Sequence, residues 1–224
     1  MNDASNMAQM RTELPPLQAL LTAYAPRARR HWHALCWTLD QRLAAVLRKG
    51  GEPTIAAIRM AWWEAVLVEG DRSKGRGEPL VEAWRAAAPD GAAAFASLVI
   101  DGWRGLIGPE ALTPDDLVHF GAKRGGGLFG LIADAARDDA LARAGSVWAL
   151  WDLSGHTNDP FLAHSALAEA QAQAMALGSL PRGRAPKPLR LAYGLARADV
   201  GADRIPVGFE ARHYRALLWR SLLP

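Results

Sequence analysis

One stretch constrains the fold more than any other. Between Arg27 and Lys49, the residues Trp32, Leu35, Cys36, Leu39, Leu43, Val46 and Leu47 recur at three- and four-residue steps. That period lines them along one face of an α-helix, and so long an apolar stripe must be buried against neighbouring elements. The composition agrees. Alanine makes up about a fifth of the 224 residues and β-branched runs are scarce, as in helical proteins. With 50% of residues hydrophobic, intrinsic disorder is excluded and a sizeable core can form.

Punctuation divides the rest into further helices. Leu17, Leu20, Leu21 and Tyr24 suggest a short first helix ended by Pro26, and Gly50-Gly51 closes the striped second one. Thr54 is placed to cap a third helix, about 55–69, with Ile55, Ile58, Trp62, Val66 and Leu67 inward. The polar, glycine-rich stretch 71–77 reads as a loop. A short helix over 80–88 follows, then one capped by Asp90 and running to Leu106. Thr113-Pro114-Asp115-Asp116 combines an N-cap, a proline at the first helical position and acids in the first turn. It opens a helix toward Ala136 that contains Gly125-Gly126-Gly127. Helices over 141–153 and 160–177 come next, the latter capped by Asp159 and stopped by Gly178. A Pro/Arg-rich linker over 180–188 leads to two short helices, about 189–198 and 210–223. No strand and no tandem repeat emerge. The expected organisation is a disordered tail over residues 1–13 and a single all-α domain over 14–224.

Several function classes fall away. The lone Cys36 excludes a disulfide framework or a cysteine zinc site. The apolar stretch Ala92–Ile100 is far shorter than the roughly 20 residues of a membrane span. The N-terminus lacks the apolar core of a secretion signal, so a cytoplasmic location is expected. The net charge of +3 is scattered, which argues against nucleic acid. No GxSxG, HExxH or P-loop pattern is present, and Gly125-Gly126-Gly127 follows a helix pattern, not the strand of a dinucleotide fingerprint. The histidines His31, His33, His119, His156, His164 and His213 show no metal-ligand spacing and are expected at the surface or half-buried.

The most specific segment is Ile58-Arg59-Met60-Ala61-Trp62-Trp63. Arg59 and Trp63 lie four apart and share a helix face, with Trp62 on the neighbouring one. This segment resembles the arginine–tryptophan–tryptophan helix of the squalene/phytoene synthase family. The segments Ala34–Leu43, Leu117–Leu128, Ala144–Leu153 and Ala185–Ala192 are similar to that family's other helices in order and spacing, so the likeness spans roughly Pro26 to Ala198. The resemblance implies an isoprenoid-synthase-type helical bundle around a central cavity. Active members join two prenyl diphosphates head to head with Mg²⁺, held by carboxylates at i and i+4 on two facing helices.

This chain departs from that pattern. Asp40 is followed four residues later by Ala44, and Asp152 by His156. Two DxxxD spacings, Asp134 with Asp138 and Asp199 with Asp203, lie elsewhere and read as solvated surface. The preferred expectation is therefore a non-catalytic, isoprenoid-binding or assembly-type protein with a degenerate metal site, for which the family's non-catalytic assembly factors of respiratory complex I are a precedent. It would need no cofactor and no metal. The alternative is an active Mg-dependent prenyl-diphosphate transferase, and a third option is a helical interaction module. An isoprenoid ligand, a partner protein and peripheral membrane contact are the interactions this reading leaves open; it is silent on oligomeric state. The candidate cavity- or diphosphate-facing residues are Asp40, Arg59, Trp63, Phe120, Lys123, Gly126, Asp152 and His156. Lys123 and Arg124 either meet a phosphate or form a solvated pair, the latter being simpler. The glycine triplet either opens a cavity or allows close helix packing.

Overall fold

The computed structural model describes residues 14–48, 52–109, 111–134, 137–180, 183 and 185–222. The expected tail over 1–13 and the Gly50-Gly51 stop lie outside them. Every regular element among the described residues is helical. In chain order they are α1 (Pro16–Ala23), a 3₁₀ turn (Arg27–Arg29), α2 (Arg30–Arg48), α3 (Pro53–Leu67), α4 (Pro79–Ala87), α5 (Ala92–Arg104), α6 (Pro114–Phe120), a π-helical turn (Gly121–Gly125), α7 (Gly126–Ile132), α8 (Asp139–His156), α9 (Pro160–Leu177), α10 (Lys187–Val200) and α11 (Ala211–Leu222).

Local chemistry explains several boundaries. Thr113 and Asp116 form a reciprocal capping box at the start of α6, with Pro114 at the first helical position. The Asp159 carboxylate accepts from the backbone nitrogens of Phe161 and Leu162, and α9 ends at Gly178 as expected. Two expected caps fail. Helix α3 begins at Pro53, so Thr54 is already inside it. Helix α5 is preceded by Gly91 at φ +81°, one residue after Asp90. Prolines and glycines set these starts by backbone geometry, without a side-chain bond.

Helix α8 is the centre of the packing, touching α9, α7, α10, α6 and the π-turn, while α2 and α5 close the opposite side. Three indoles tie elements together. Trp32 Nε1 donates to the Leu131 carbonyl across α2 and α7 at 2.7 Å, Trp103 Nε1 to Asp40 at 2.8 Å, and Trp151 Nε1 to Asp199 at 3.3 Å. The expected stripe of α2 is buried except for half-buried Leu47, and Leu35, Cys36, Leu39 and Leu43 are wholly so.

The α3 face is a correction. Its inward residues are Met60, Trp63, Val66 and Leu67, whereas Ile55 and Ile58 are 44% and 64% exposed and Trp62 is only half-buried. Nearly every position of α3 is apolar or small, so periodicity left its orientation ambiguous. Polar residues are also misplaced by the sequence reading, among them His213, which is buried in α11. His33 is buried in α2, and Asp199 is buried among Trp151, His213, Arg204 and Arg212, so it is not solvated surface. Asp203, its presumed partner, is exposed in the turn after α10.

Candidate functional site

A buried polar cluster lies where α2, α5, the π-turn and α8 meet. Asp40 belongs to α2 and is fully buried. Asp152 belongs to α8 and is 8% exposed. Between them stands Arg124, fully buried on the π-turn. Its Nε donates to Asp40 Oδ1 at 2.9 Å and its Nη2 to Asp40 Oδ2 at 2.8 Å, a fork on one carboxylate. Nη2 also donates to Asp152 Oδ2 at 2.7 Å, and Nη1 reaches the Ala149 carbonyl at 3.4 Å. The Trp103 indole adds a second donor to Asp40 Oδ1.

Aromatic rings surround the guanidinium. Its carbon lies 4.3 Å from the Trp103 ring centre, 4.9 Å from Trp148 and 5.5 Å from Phe120. Burial works against its charge, but the Asp40 and Asp152 carboxylates outweigh that effect and hold its pKa above the ordinary arginine value. Arg124 is thus a permanent internal cation shared by two carboxylates.

A π-turn and two close approaches put it there. A π-turn adds a residue to the helical repeat and re-aims the side chains that follow. Gly125 and Gly145 meet backbone to backbone, and a Cβ on either would overlap the other's carbonyl. Gly102 does the same for α5, where a Cβ would lie 2.5 Å from the Arg124 backbone nitrogen. The glycine triplet is therefore a helix-crossing contact rather than the wall of a central cavity. The place expected to be open is filled by Trp37, Trp148, Phe120, Phe129 and Arg124, all fully buried.

The sequence-predicted residues divide accordingly. Asp40 and Asp152 are brought together, with Phe120 in the aromatic shell beside them. Trp63 is buried but packs edge-on against Trp62 on α3, away from this centre. Arg59 is exposed. Lys123 points outward to Asp101 at 3.3 Å, while its neighbour Arg124, expected with it on the solvated face, is the buried centre. Gly126 faces a separate hollow of about 280 Å³ with Phe95 and Leu141. His156 is largely exposed, with Nδ1 2.7 Å from the Asp152 carbonyl oxygen and 3.5 Å from its carboxylate. Trp103 was not singled out from the sequence, and Arg124 only as a phosphate-meeting or solvated neighbour of Lys123. The available signal was an arginine set among Gly121, Gly125, Gly126 and Gly127, where small residues mean tight packing on every side.

An open cleft of about 670 Å³ borders this centre. Arg124, Asp152, Ala44 and His156 are among the residues lining it. Leu47, Leu106, Leu112 and Leu153 supply apolar wall. Cys36 is buried elsewhere in α2, and burial, only partly offset by Arg29, pushes its thiol well above the ordinary range. Among the described residues, no three His, Cys, Asp or Glu side chains gather as a metal-holding group. Set against protein-family models and curated proteins, the chain matches none.

Proposed function

We propose that this chain is a squalene/phytoene synthase-like helical protein in which an internal arginine stands where metal ions would bridge two acidic helices, and that it acts without catalysis, as an isoprenoid-binding or assembly protein. The observation that carries the reading is the Asp40–Arg124–Asp152 bridge. A diphosphate-binding Mg²⁺ takes carboxylate oxygens and keeps several waters. Here both Asp40 oxygens are bonded to Arg124 in a fully buried setting, and Asp152 gives one oxygen to the same guanidinium. The residues present do not fit a metal cluster, because a cation already fills the space and the i+4 positions are Ala44 and His156. The leucine-walled cleft beside the bridge supports ligand binding without chemistry.

Thermal melts with millimolar Mg²⁺ and a non-hydrolysable prenyl diphosphate test the first part. The midpoint should barely move. Joint stabilisation of about 2.7 kcal/mol, the effect of a ligand at about 100 times its dissociation constant, would overturn the non-catalytic reading. A fluorescent prenyl alcohol tests the second part: it should bind the parent protein, and Leu112→Trp should block it by filling the cleft. Equal binding by that variant places the ligand elsewhere and sinks the cleft assignment.

A further inference from the structure

A smaller pocket of about 170 Å³ lies where α1, α2, α8 and the segment leading into α11 meet. Gln41, Asp152 and His156 border both it and the leucine-walled cleft, while its remaining walls belong to it alone. Pro16, Leu17 and Pro206 make part of them apolar. Three rings also line it. Phe209 stacks on His213 with ring centres 6.0 Å apart, and Trp151 stands perpendicular to His213 at 6.1 Å. His213 Nδ1 accepts from the Glu210 backbone nitrogen at 3.1 Å, so Nε2 carries the proton and donates to Asp199 at 2.8 Å. The His213 ring is therefore neutral and does not repel a cation.

Two acceptors complete the pocket. Gln18 is 4% exposed, and its Oε1 has no hydrogen-bond partner among the described residues. Asp152 gives Oδ2 to Arg124, while His156 Nδ1 stands 3.5 Å from Oδ1, beyond a good hydrogen bond. The charges point the same way. Asp40 and Asp152 bring two negative charges to the bridge and Arg124 one positive. Asp199 and Glu210, next to His213, are matched by Arg204 and Arg212. The bridge thus keeps one negative charge in excess beside the pocket.

From these observations we infer that the pocket binds a small primary alkylammonium ion. An ammonium group offers three donors and no acceptor, which suits Gln18 Oε1 and Asp152 Oδ1. Its charge offsets the excess at the bridge, and aromatic rings attract a cation over their faces. The alkyl part takes the proline and leucine walls. The volume is well below the roughly 300 Å³ at which pockets take drug-sized ligands, so the occupant is small. The inference does not depend on what the cleft binds.

Calorimetric titration of the full chain with n-butylammonium chloride tests it. Binding should be at least about tenfold tighter than that of 1-butanol, which has the same chain without the charge. Gln18→Leu and Phe209→Ala should each weaken it about tenfold or more, with thermal melts confirming that the variants are folded. Should Phe209→Ala fail to fold, Gln18→Leu, which removes the acceptor at similar volume, decides alone. Leu112→Trp, which fills the cleft, should bind butylammonium like the parent. Absence of binding by the parent overturns the inference, as does equal affinity for 1-butanol. Unchanged binding by Gln18→Leu, or its loss in Leu112→Trp, overturns it too, by placing the ammonium outside this pocket. Glycerophosphoethanolamine carries the same ammonium on a phosphodiester and should bind far more weakly. Equal affinity for it would overturn the free amine in favour of a headgroup.

Discussion

Arg124 brings a full positive charge into the middle of an apolar bundle, a position that is costly unless every donor finds a partner. Its fork on Asp40, its bond to Asp152 and the three surrounding rings meet that requirement. Arg124→Met would leave two buried carboxylates facing each other and should lower stability by about 3–5 kcal/mol in a urea titration. Replacing Asp40, Arg124 and Asp152 together by Leu, Met and Leu should recover most of that loss, because no unpaired charge remains. A single-variant loss below about 1 kcal/mol would show that water enters the site. His33 behaves in the opposite way. Burial, aided by the nearby charge of Arg29, lowers its pKa from 6.5 to about 4, and its Nδ1 has no hydrogen-bond partner among the described residues. As pH falls below about 6.5 the unfolded chain takes up a proton that the folded one refuses until about 4. Stability should therefore decline across that window, by an amount on the order of 2–4 kcal/mol, and be regained as pH rises. Denaturant midpoints at pH 7 and 4.5 measure this, and His33→Gln should flatten the difference whatever its effect at pH 7.

Among the elements, the π-turn between α6 and α7 does the most to shape the candidate site. A regular α-helix through Gly121–Gly125 would rotate Arg124 away from Asp40, since one residue changes the facing direction by about 100°. The glycines on both sides of the crossing are not equivalent. Gly125→Ala drives a methyl into the Gly145 carbonyl and should cost at least about 1–3 kcal/mol. Gly126→Ala meets only the Ala142 methyl, at 3.3 Å, and its better helix propensity of about 1 kcal/mol should leave the thermal midpoint nearly unchanged. If both variants melt alike, the crossing is looser than the backbone contact requires. Helix boundaries were legible where punctuation marked them, as with Thr113-Pro114 at the start of α6 or Asp159 and Gly178 for α9. The orientation of α3 was not, because a helix apolar on nearly all sides has no preferred face until its neighbours are in place.

At the scale of the whole molecule, one hydrophobic cluster runs from Leu14 in the segment before α1 to Leu217 in α11, and the polar centre sits inside it. The sequence by itself determined the all-α class and the approximate extent of most helices, while Asp40 and Asp152 were candidates through a family resemblance. Class and helix extent depend on chemistry within a few residues: apolar spacing, capping side chains, prolines and glycines. That the two aspartates meet through Arg124, and that the glycine triplet serves helix packing, depends on helices brought together from distant parts of the chain. Asp40 and Arg124 are 84 positions apart, and Arg124 and Asp152 are 28. No local pattern encodes whether an arginine beside a lysine faces water or a buried carboxylate. Only the tertiary structure decides it, because only the packed helices exclude water from one of the two and offer a counter-charge in its place.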